Sequence, residues 1–123
     1  MGMFEVNVKL ANLATPSQTE ELSLLVDTAT LSWIPRAILK KLGVTAFSRL
    51  PFTLADGSRL ERDVTAVLLT IDGRKAPVQV AFGEDGEAAV LGATSLEGLG
   101  FMVDPVGERL VPCDLRQLRA YRD

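Results

Sequence analysis

The chain has 123 residues, of which 47% are hydrophobic and 24% are charged, and its net charge is −3; this predicts one globular domain with a buried core. Lys and Arg form no run, which argues against nucleic acid as a partner because phosphate binding needs clustered positive charge. The sequence has no histidine and one cysteine, Cys113, which excludes His-dependent triads, Cys–His pairs, His-based zinc sites and an intrachain disulfide.

The first third of the chain is expected to contribute two strands. Residues 4–10 (FEVNVKL) alternate apolar and polar side chains, which is typical of a half-buried strand. After a turn at residues 15–18 (TPSQ), residues 22–26 (LSLLV) are more apolar and predict a buried strand. This second strand leads directly into Asp27.

A short helix and two hairpins are predicted next. Residues 34–43 (IPRAILKKLG) predict a helix, because Pro35 lies near its first position and Gly43 follows its end. The turns at 55–58 (ADGS) and at Asp72-Gly73 each lie between apolar runs, and Asp-Gly in that context is a strong hairpin signal. The paired segments are residues 52–54 with 60–62 and residues 67–71 with 76–80.

The last third is expected to add short strands and helices. Residues 88–92 (AAVLG) predict a buried strand that ends at glycine, and residues 95–99 predict a brief helix after Thr94 as its cap. Residues 101–104 and 109–111 predict two strands, and Asp114 could cap a final helix. About eight short strands with turns between them predict a barrel or a folded-over sheet.

Location and cofactors are constrained by what the sequence lacks. No apolar stretch approaches the roughly 20 residues that cross a bilayer. Residues 1–9 lack the basic start and apolar run of a signal peptide. We therefore expect a cytoplasmic protein with no membrane partner, no metal site and no cofactor. Acid–base chemistry would then depend on carboxylates.

Asp27 draws attention because it follows a buried strand. Taken alone, it is best interpreted as a residue that caps a turn. Its context is more specific: Asp27-Thr28 is followed by residues 31–35 (LSWIP), a short helix, two hairpins, and residues 90–92 (VLG) before another helix. This order, over residues 4–111, resembles the retropepsin-like, single-domain aspartic proteases of retroviral type, including small prokaryotic members.

The resemblance implies an all-β fold, a closed β-barrel with short helices over residues 1–111, and a C-terminal extension, residues 112–123, that is helical. It also implies site roles. Asp27 matches the catalytic aspartate, and Thr28 matches the threonine that braces the two active-site loops across the dimer axis. Ala29 occupies the position of the next motif residue. The flap over the substrate is matched by Ala55, Asp56, Gly57 and Ser58, and the segment behind the catalytic loop by Val90, Leu91 and Gly92.

The chemistry of such a site requires a second carboxylate. Two close carboxylates share one proton; the ionised one takes a proton from water and the protonated one polarises the peptide carbonyl. The motif supplies one aspartate per chain, so the second group would be Asp27 of another copy in a homodimer. The implied function is an aspartic endopeptidase whose partners are a second copy and a peptide or protein substrate.

The sequence departs from the family pattern at two places. The third motif residue of the family is glycine, and here either Ala29 replaces it or one residue is deleted; the early position of residues 32–35 favours the deletion. Glycine allows positive φ and close approach to a ligand, and alanine restricts both. After Gly92, where viral members commonly carry an arginine that helps to tie the dimer, this chain has Ala93-Thr94.

Two alternatives remain open at the level of sequence. The first is a catalytically inactive peptide-binding or dimerisation module with the same fold, which the reading Asp-Thr-Ala supports. The second is an unrelated β-barrel binding protein in which Asp27 is a turn residue. Trp33 and Phe52 are candidates for pocket walls, although the interpretation as core residues is favoured.

Overall fold

The computed structural model describes residues 4–27 and 29–113. Within these ranges the chain forms nine strands and two short helices. The elements in chain order are β1 (Glu5–Ala11), β2 (Thr19–Val26), β3 (Ser32–Pro35), α1 (Arg36–Lys41), β4 (Ser48–Thr53), β5 (Arg59–Ile71), β6 (Arg74–Gly83), β7 (Val90–Leu91), α2 (Ala93–Leu99), β8 (Phe101–Asp104) and β9 (Arg109–Pro112).

Seven of the strands form one sheet that closes on itself. Their order is β1-β2-β7-β3-β6-β5-β4, and β1 also pairs with β5, so the six strands from β1 to β5 in that order make a ring and β4 extends it on the outside. The closing contact is antiparallel, with Lys9 opposite Thr70 and Ala11 opposite Leu68. The expected all-β fold with short helices is confirmed.

The interior of the ring is apolar because the strands alternate inward and outward side chains. In β5, Val67, Leu69 and Ile71 are buried at every second position. The largest fully buried side chains also include Leu10, Leu24, Ile34, Leu39 and Leu91. Full burial of one such side chain contributes about 1.5–3 kcal/mol, so this core is the main source of stability.

Some elements differ from the sequence-based prediction. The helix predicted at residues 95–99 with Thr94 as its cap begins at Ala93, and its N-cap is Gly92. Two further differences involve strands. The predicted helix from residue 34 begins at Arg36, because Ser32–Pro35 is a strand that pairs in parallel with Val80 to Gly83 of β6. The two hairpin arms at 60–62 and 67–71 are one strand, β5, whose first half pairs with β4 and whose second half pairs with β6. In both cases pairing with distant strands overrides the local signal.

The C-terminal part forms a small separate sheet in which β8 pairs antiparallel with β9. The predicted helix after Asp114 lies outside the described residues. No helix in the part of the chain that the structure describes is long and apolar enough to span a membrane.

Candidate active site

Asp27 follows the last residue of β2 and is half-buried. Its N–H donates to the carbonyl oxygen of Leu91, with an N···O distance of 3.2 Å. The preceding residues of β2 pair in parallel with β7, Leu25 with Val90 and Val26 with Leu91. The short strand β7 therefore lies beside the strand that ends just before Asp27.

The residues after β7 hold the loop that follows Asp27. The Ala93 N–H donates to the carbonyl oxygen of Ala29 at 2.8 Å. The N–H and the hydroxyl of Thr94 both donate to the carbonyl oxygen of Thr30, at 3.0 and 2.8 Å. Residues 93 and 94 thus contribute two backbone amides and a threonine hydroxyl to the contact with this loop. Thr28 lies outside the described residues.

Gly92 fits between these contacts only because it has no side chain. A Cβ atom at this position would lie 2.5 Å from the carbonyl carbon of Leu31 and 2.9 Å from the carbonyl oxygen of Ala29. These atoms belong to the backbone and cannot rotate away. The requirement for glycine here is a close approach of two backbone segments.

Asp27 lies on the wall of a cleft of about 1010 Å³. The cleft brings together three of the predicted groups: Asp27 and Ala29 of the catalytic loop, Val90 behind it, and Ala55 of the predicted flap. The other predicted flap residues, Asp56, Gly57 and Ser58, and the residues Leu91 and Gly92 are outside the lining. The remaining walls come from residues 30–31, 50–54 and 87–88 with Trp33, Leu60 and Gln79.

The tip of the β4–β5 hairpin is an exposed, hydrogen-bonded turn. Asp56 Oδ1 accepts from the N–H of Ser58 at 2.8 Å and from its hydroxyl at 2.6 Å. The Ser58 hydroxyl, followed by its N–H, holds the pKa of Asp56 below its usual range. Gly57 has φ of +88°, a conformation that glycine adopts without strain. The hairpin therefore ends in a locally stabilised turn beside the cleft.

An aromatic pair forms one wall of the cleft. Trp33 of β3 and Phe52 of β4 meet edge to face with ring centroids 5.1 Å apart. Both side chains also pack against the buried residues Leu31, Val64 and Ala81. The interpretation of Trp33 and Phe52 as core residues is therefore incomplete, because each ring packs against this small buried cluster and also lines the cleft.

A network of ion pairs surrounds this wall. Arg62 pairs with Glu87, and its guanidinium carbon lies 5.9 Å from the centre of the Trp33 ring. Arg36 pairs with Glu84 at 2.8 Å and with Asp63 at 3.0 Å. Hydrogen bonds from these arginines hold the pKa values of all three carboxyls below their usual range, Glu87 through Arg62 and the other two through Arg36. The network ties the loop at 84–87 to α1 and β5.

Solved structures of viral proteases share this arrangement of strands. EIAV protease in complex with the inhibitor HBY-793 superposes with a TM-score of 0.62 and 20% sequence identity, covering 80% of this chain and 89% of the viral one. The protease of simian foamy virus (mac) gives a TM-score of 0.53 and 17% identity, covering 76% and 92%. The chain has a retropepsin-like fold. No protein-family model and no curated protein sequence matches it.

Within this retropepsin-like fold, two contacts near the cleft were not anticipated from the sequence. Ser32 and Ser95 are fully buried and their hydroxyl oxygens lie 2.7 Å apart. The Gly92 N–H donates to the Ser32 hydroxyl oxygen at 2.9 Å. The second contact is the Arg62–Glu87 pair, whose residues are 25 positions apart. The only feature of the sequence that could have indicated the serine contacts is Ser32 itself, a polar residue in an otherwise apolar strand.

Metal ligation finds no support among the described residues. No group of three or more His, Cys, Asp or Glu side chains within residues 4–27 and 29–113 stands close enough to hold a metal ion. The carboxylates that line the cleft within these ranges are Asp27 and Glu87, and Glu87 is engaged by Arg62.

Proposed function

We propose that the chain is an aspartic endopeptidase that works as a homodimer, with Asp27 as the catalytic residue. The observation that carries this proposal is the position of Asp27. It leaves the buried strand β2 at the wall of the large cleft, in a fold shared with EIAV protease. An aspartate at the end of a buried, apolar strand is unfavourable for stability, and a catalytic role gives a reason to keep it there.

The second carboxylate comes from another copy of the chain. Of the two carboxylates in the described cleft lining, Glu87 accepts hydrogen bonds from Arg62 and from the Glu84 N–H, which keep it ionised and occupied. A two-fold axis near Asp27 would bring two identical carboxyls together and let them share one proton. The protons of such a pair belong to the dyad and not to either residue.

The reaction is then hydrolysis by an activated water. The ionised carboxylate takes a proton as the water oxygen attacks the peptide carbonyl carbon, while the protonated carboxyl donates a hydrogen bond to the carbonyl oxygen. The C–N bond breaks when the amide nitrogen receives a proton from the dyad, which restores the shared proton. This chemistry needs no cofactor.

The substrate would be an extended peptide. Most of the cleft wall is apolar and is supplied by residues 50–55, Leu60, Trp33 and Val90. β4 is the last strand in the sheet order, and its residues 50–53 line the cleft, so its outer edge offers backbone groups for an added strand. The β4–β5 hairpin would act as the flap that excludes water.

The β8–β9 hairpin is the surface that we propose for contact between the two copies. Three of the six large hydrophobic side chains exposed in the described part of the chain lie on it: Met102, Val103 and Val106. Of its three charged residues, Asp104 and Arg109 pair with each other at 3.2 Å, and Glu108 is the third. An exposed apolar hairpin outside the main sheet is a ready site for strand or face pairing.

With one cysteine in the sequence, we propose the cytoplasm as the location.

A second candidate function follows from Ala29. This residue lines the cleft beside Asp27, where the resembled family has glycine. A methyl group or a shortened loop at this point would displace the peptide or the carboxylate, and catalysis tolerates little displacement. The alternative is therefore a module that folds, dimerises and binds peptides without cleaving them.

Cleavage of a diverse peptide library separates the two functions. The parent chain would be incubated from about pH 3.5 to about pH 7.5, the range in which a carboxyl dyad is active, beside Asp27→Asn and the control Asp72→Asn in the exposed β5–β6 turn. Cuts by the parent and by Asp72→Asn, and none by Asp27→Asn, would support the peptidase. Peptide binding without cuts would favour the module. Equal cleavage by all three would overturn the assignment of Asp27.

A further inference from the structure

We infer that Ser32 and Ser95 are positioning residues that hold Asp27 in place. This inference rests on the proposed function. Both side chains are fully buried, and burial of a hydroxyl is unfavourable unless it is hydrogen-bonded. Their oxygens lie 2.7 Å apart. The pair joins the first residue of β3 to the third residue of α2 across 63 positions of sequence.

Four consecutive residues, from the last residue of β7 to the second residue of α2, each bond to a residue between Asp27 and Ser32. The Leu91 carbonyl accepts from the Asp27 N–H, and the N–H groups of Ala93 and Thr94 donate to the carbonyls of Ala29 and Thr30. The Gly92 N–H donates to the hydroxyl oxygen of Ser32 at 2.9 Å. The links of Leu91, Ala93 and Thr94 each include a backbone-to-backbone bond, to which the Thr94 hydroxyl adds a second bond. The link of Gly92 depends on the Ser32 hydroxyl, so a substitution of Ser32 removes it completely.

The hydroxyl pair lies beside a close approach of two backbone segments. No side chain separates Gly92 from the loop, whose Leu31 and Ala29 backbone atoms would lie within 3 Å of a Cβ atom. Hydrogen bonds between the two segments hold them in this close approach. Ser95 holds the Ser32 hydroxyl in the direction that receives the Gly92 N–H, and Gly92 is bonded covalently to Leu91, which receives the Asp27 N–H. The path from the serine pair to Asp27 is thus one hydrogen bond, one peptide bond and one more hydrogen bond.

The chain offers a matched control for a purely structural role. Thr65 is also a buried hydroxyl, 3% exposed, and it donates to the carbonyl oxygen of Thr45 at 2.8 Å. It does not line the cleft. Thr65→Val and Ser32→Ala each remove one buried hydroxyl. The first leaves the Thr45 carbonyl without this partner, and the second leaves the Ser95 hydroxyl and the Gly92 N–H without theirs. A purely structural role predicts losses of stability in both variants and no difference in activity per folded molecule.

The test compares Ser32→Ala, Ser95→Ala, the double variant and Thr65→Val, with activity corrected for the folded fraction. We expect Ser32→Ala to lower kcat by about tenfold or more, because small displacements of catalytic groups are costly, with KM within about threefold and with a shifted pH profile of kcat. The double variant should lose no more than Ser32→Ala alone, since the two act as a unit. Thr65→Val should keep the parental kcat and profile. Equal kcat and equal profiles for Ser32→Ala and Thr65→Val would overturn the inference.

A second measurement keeps the two hypotheses distinguishable. If the parent chain cleaves no peptide, the proposed function fails, and the inference is then judged by amide hydrogen exchange. Loss of the serine pair should speed exchange at the Asp27 and Ala93 N–H groups by about tenfold or more relative to Thr65→Val. Unchanged protection at both amides would show that the pair does not position the loop.

Discussion

The indole ring of Trp33 meets the phenyl ring of Phe52 edge to face, with centroids 5.1 Å apart and ring planes at 62°. The two residues belong to β3 and β4, which are not neighbours in the sheet. Their contact closes one wall of the cleft and links the turn-proximal end of the β4–β5 hairpin to the strand that follows the Asp27 loop. The hairpin and the candidate catalytic loop therefore share one aromatic contact.

Loss of the Phe52 ring should weaken both stability and peptide binding. Edge-to-face aromatic pairs contribute about 0.5–1.5 kcal/mol beyond burial, so Phe52→Leu, which keeps an apolar side chain, should lower the free energy of unfolding by about 1 kcal/mol and raise KM. Urea denaturation and peptide kinetics measure the two effects. Phe47→Leu is the control, because Phe47 is 64% exposed and should change stability by less than about 0.5 kcal/mol. Equal effects of both variants would contradict the role of the pair.

Stability should fall in acid because of the arginine-paired carboxyls. Asp63, Glu84 and Glu87 have pKa values held below their usual range by Arg36 and Arg62, whereas in the unfolded chain they return to about 3.9 for Asp and about 4.3 for Glu. The folded state therefore binds fewer protons. The stabilisation is complete above about pH 5 and is lost as the pH falls through the folded-state pKa values.

Urea midpoints between about pH 3 and about pH 7 measure this dependence. In Arg62→Gln the urea midpoint should depend less on pH, because without Arg62 the pKa of Glu87 in the folded state moves closer to its pKa in the unfolded chain. Lys41→Gln removes an exposed cation 3.5 Å from Glu20 and controls for the change in net charge. An unchanged slope in Arg62→Gln, or the same flattening in Lys41→Gln, would show that the Arg62–Glu87 pair does not carry the acid sensitivity.

The sequence was sufficient for the elements whose signals are local. The strand before Asp27 and the turn at Asp72-Gly73 lie where composition and turn chemistry predicted them, and the strand predicted at residues 88–92 is shortened to Val90–Leu91. The helix predicted at residues 34–43 includes Ile34 and Pro35, which belong to the strand Ser32–Pro35. The extended shape of this strand comes from pairing with β6, 48 residues away along the chain. No periodic pattern in the sequence predicts the contacts of Ser32 with Ser95 and of Arg62 with Glu87. Each contact joins elements that are brought together only when the strands close into a ring.

Substitution of Gly92 should be far more damaging than substitution of a glycine six residues away. A Cβ at Gly92 would lie 2.5 Å from the Leu31 carbonyl carbon, whereas a Cβ at Gly98 in α2 would meet only Val78 Cγ1 at 3.8 Å. We expect Gly92→Ala to lower the free energy of unfolding by about 2–3 kcal/mol or more. Gly98→Ala should be neutral or stabilising by up to about 1 kcal/mol, as expected for alanine within a helix. Thermal and urea unfolding of the two variants compare them directly, and equal stability would contradict the close backbone approach.

Charge on the β8–β9 hairpin should separate the two copies without unfolding either. Met102 is 53% exposed and Val106 is 94% exposed, so Met102→Lys with Val106→Lys should change monomer stability by less than about 0.5 kcal/mol per site. Burial of two new charges in an interface is strongly unfavourable, and we expect the dimer dissociation constant to rise by about tenfold or more. Sedimentation measures it over a range of concentrations, in an Asp27→Asn background that prevents self-cleavage.

The control for this experiment is Leu13→Lys, an exposed apolar residue, 47% accessible, in the turn between β1 and β2. Equal weakening by Leu13→Lys would remove the hairpin as the interface, because a general increase in positive charge would then explain the effect. A parent chain that stays monomeric at every concentration would contradict the homodimer itself, since Asp27 would then lack the second carboxyl that the mechanism requires. Selective dissociation by the hairpin variant, together with loss of peptide cleavage at dilute concentration when the same two substitutions are made in the parent chain with Asp27 intact, would tie the catalytic site to this surface.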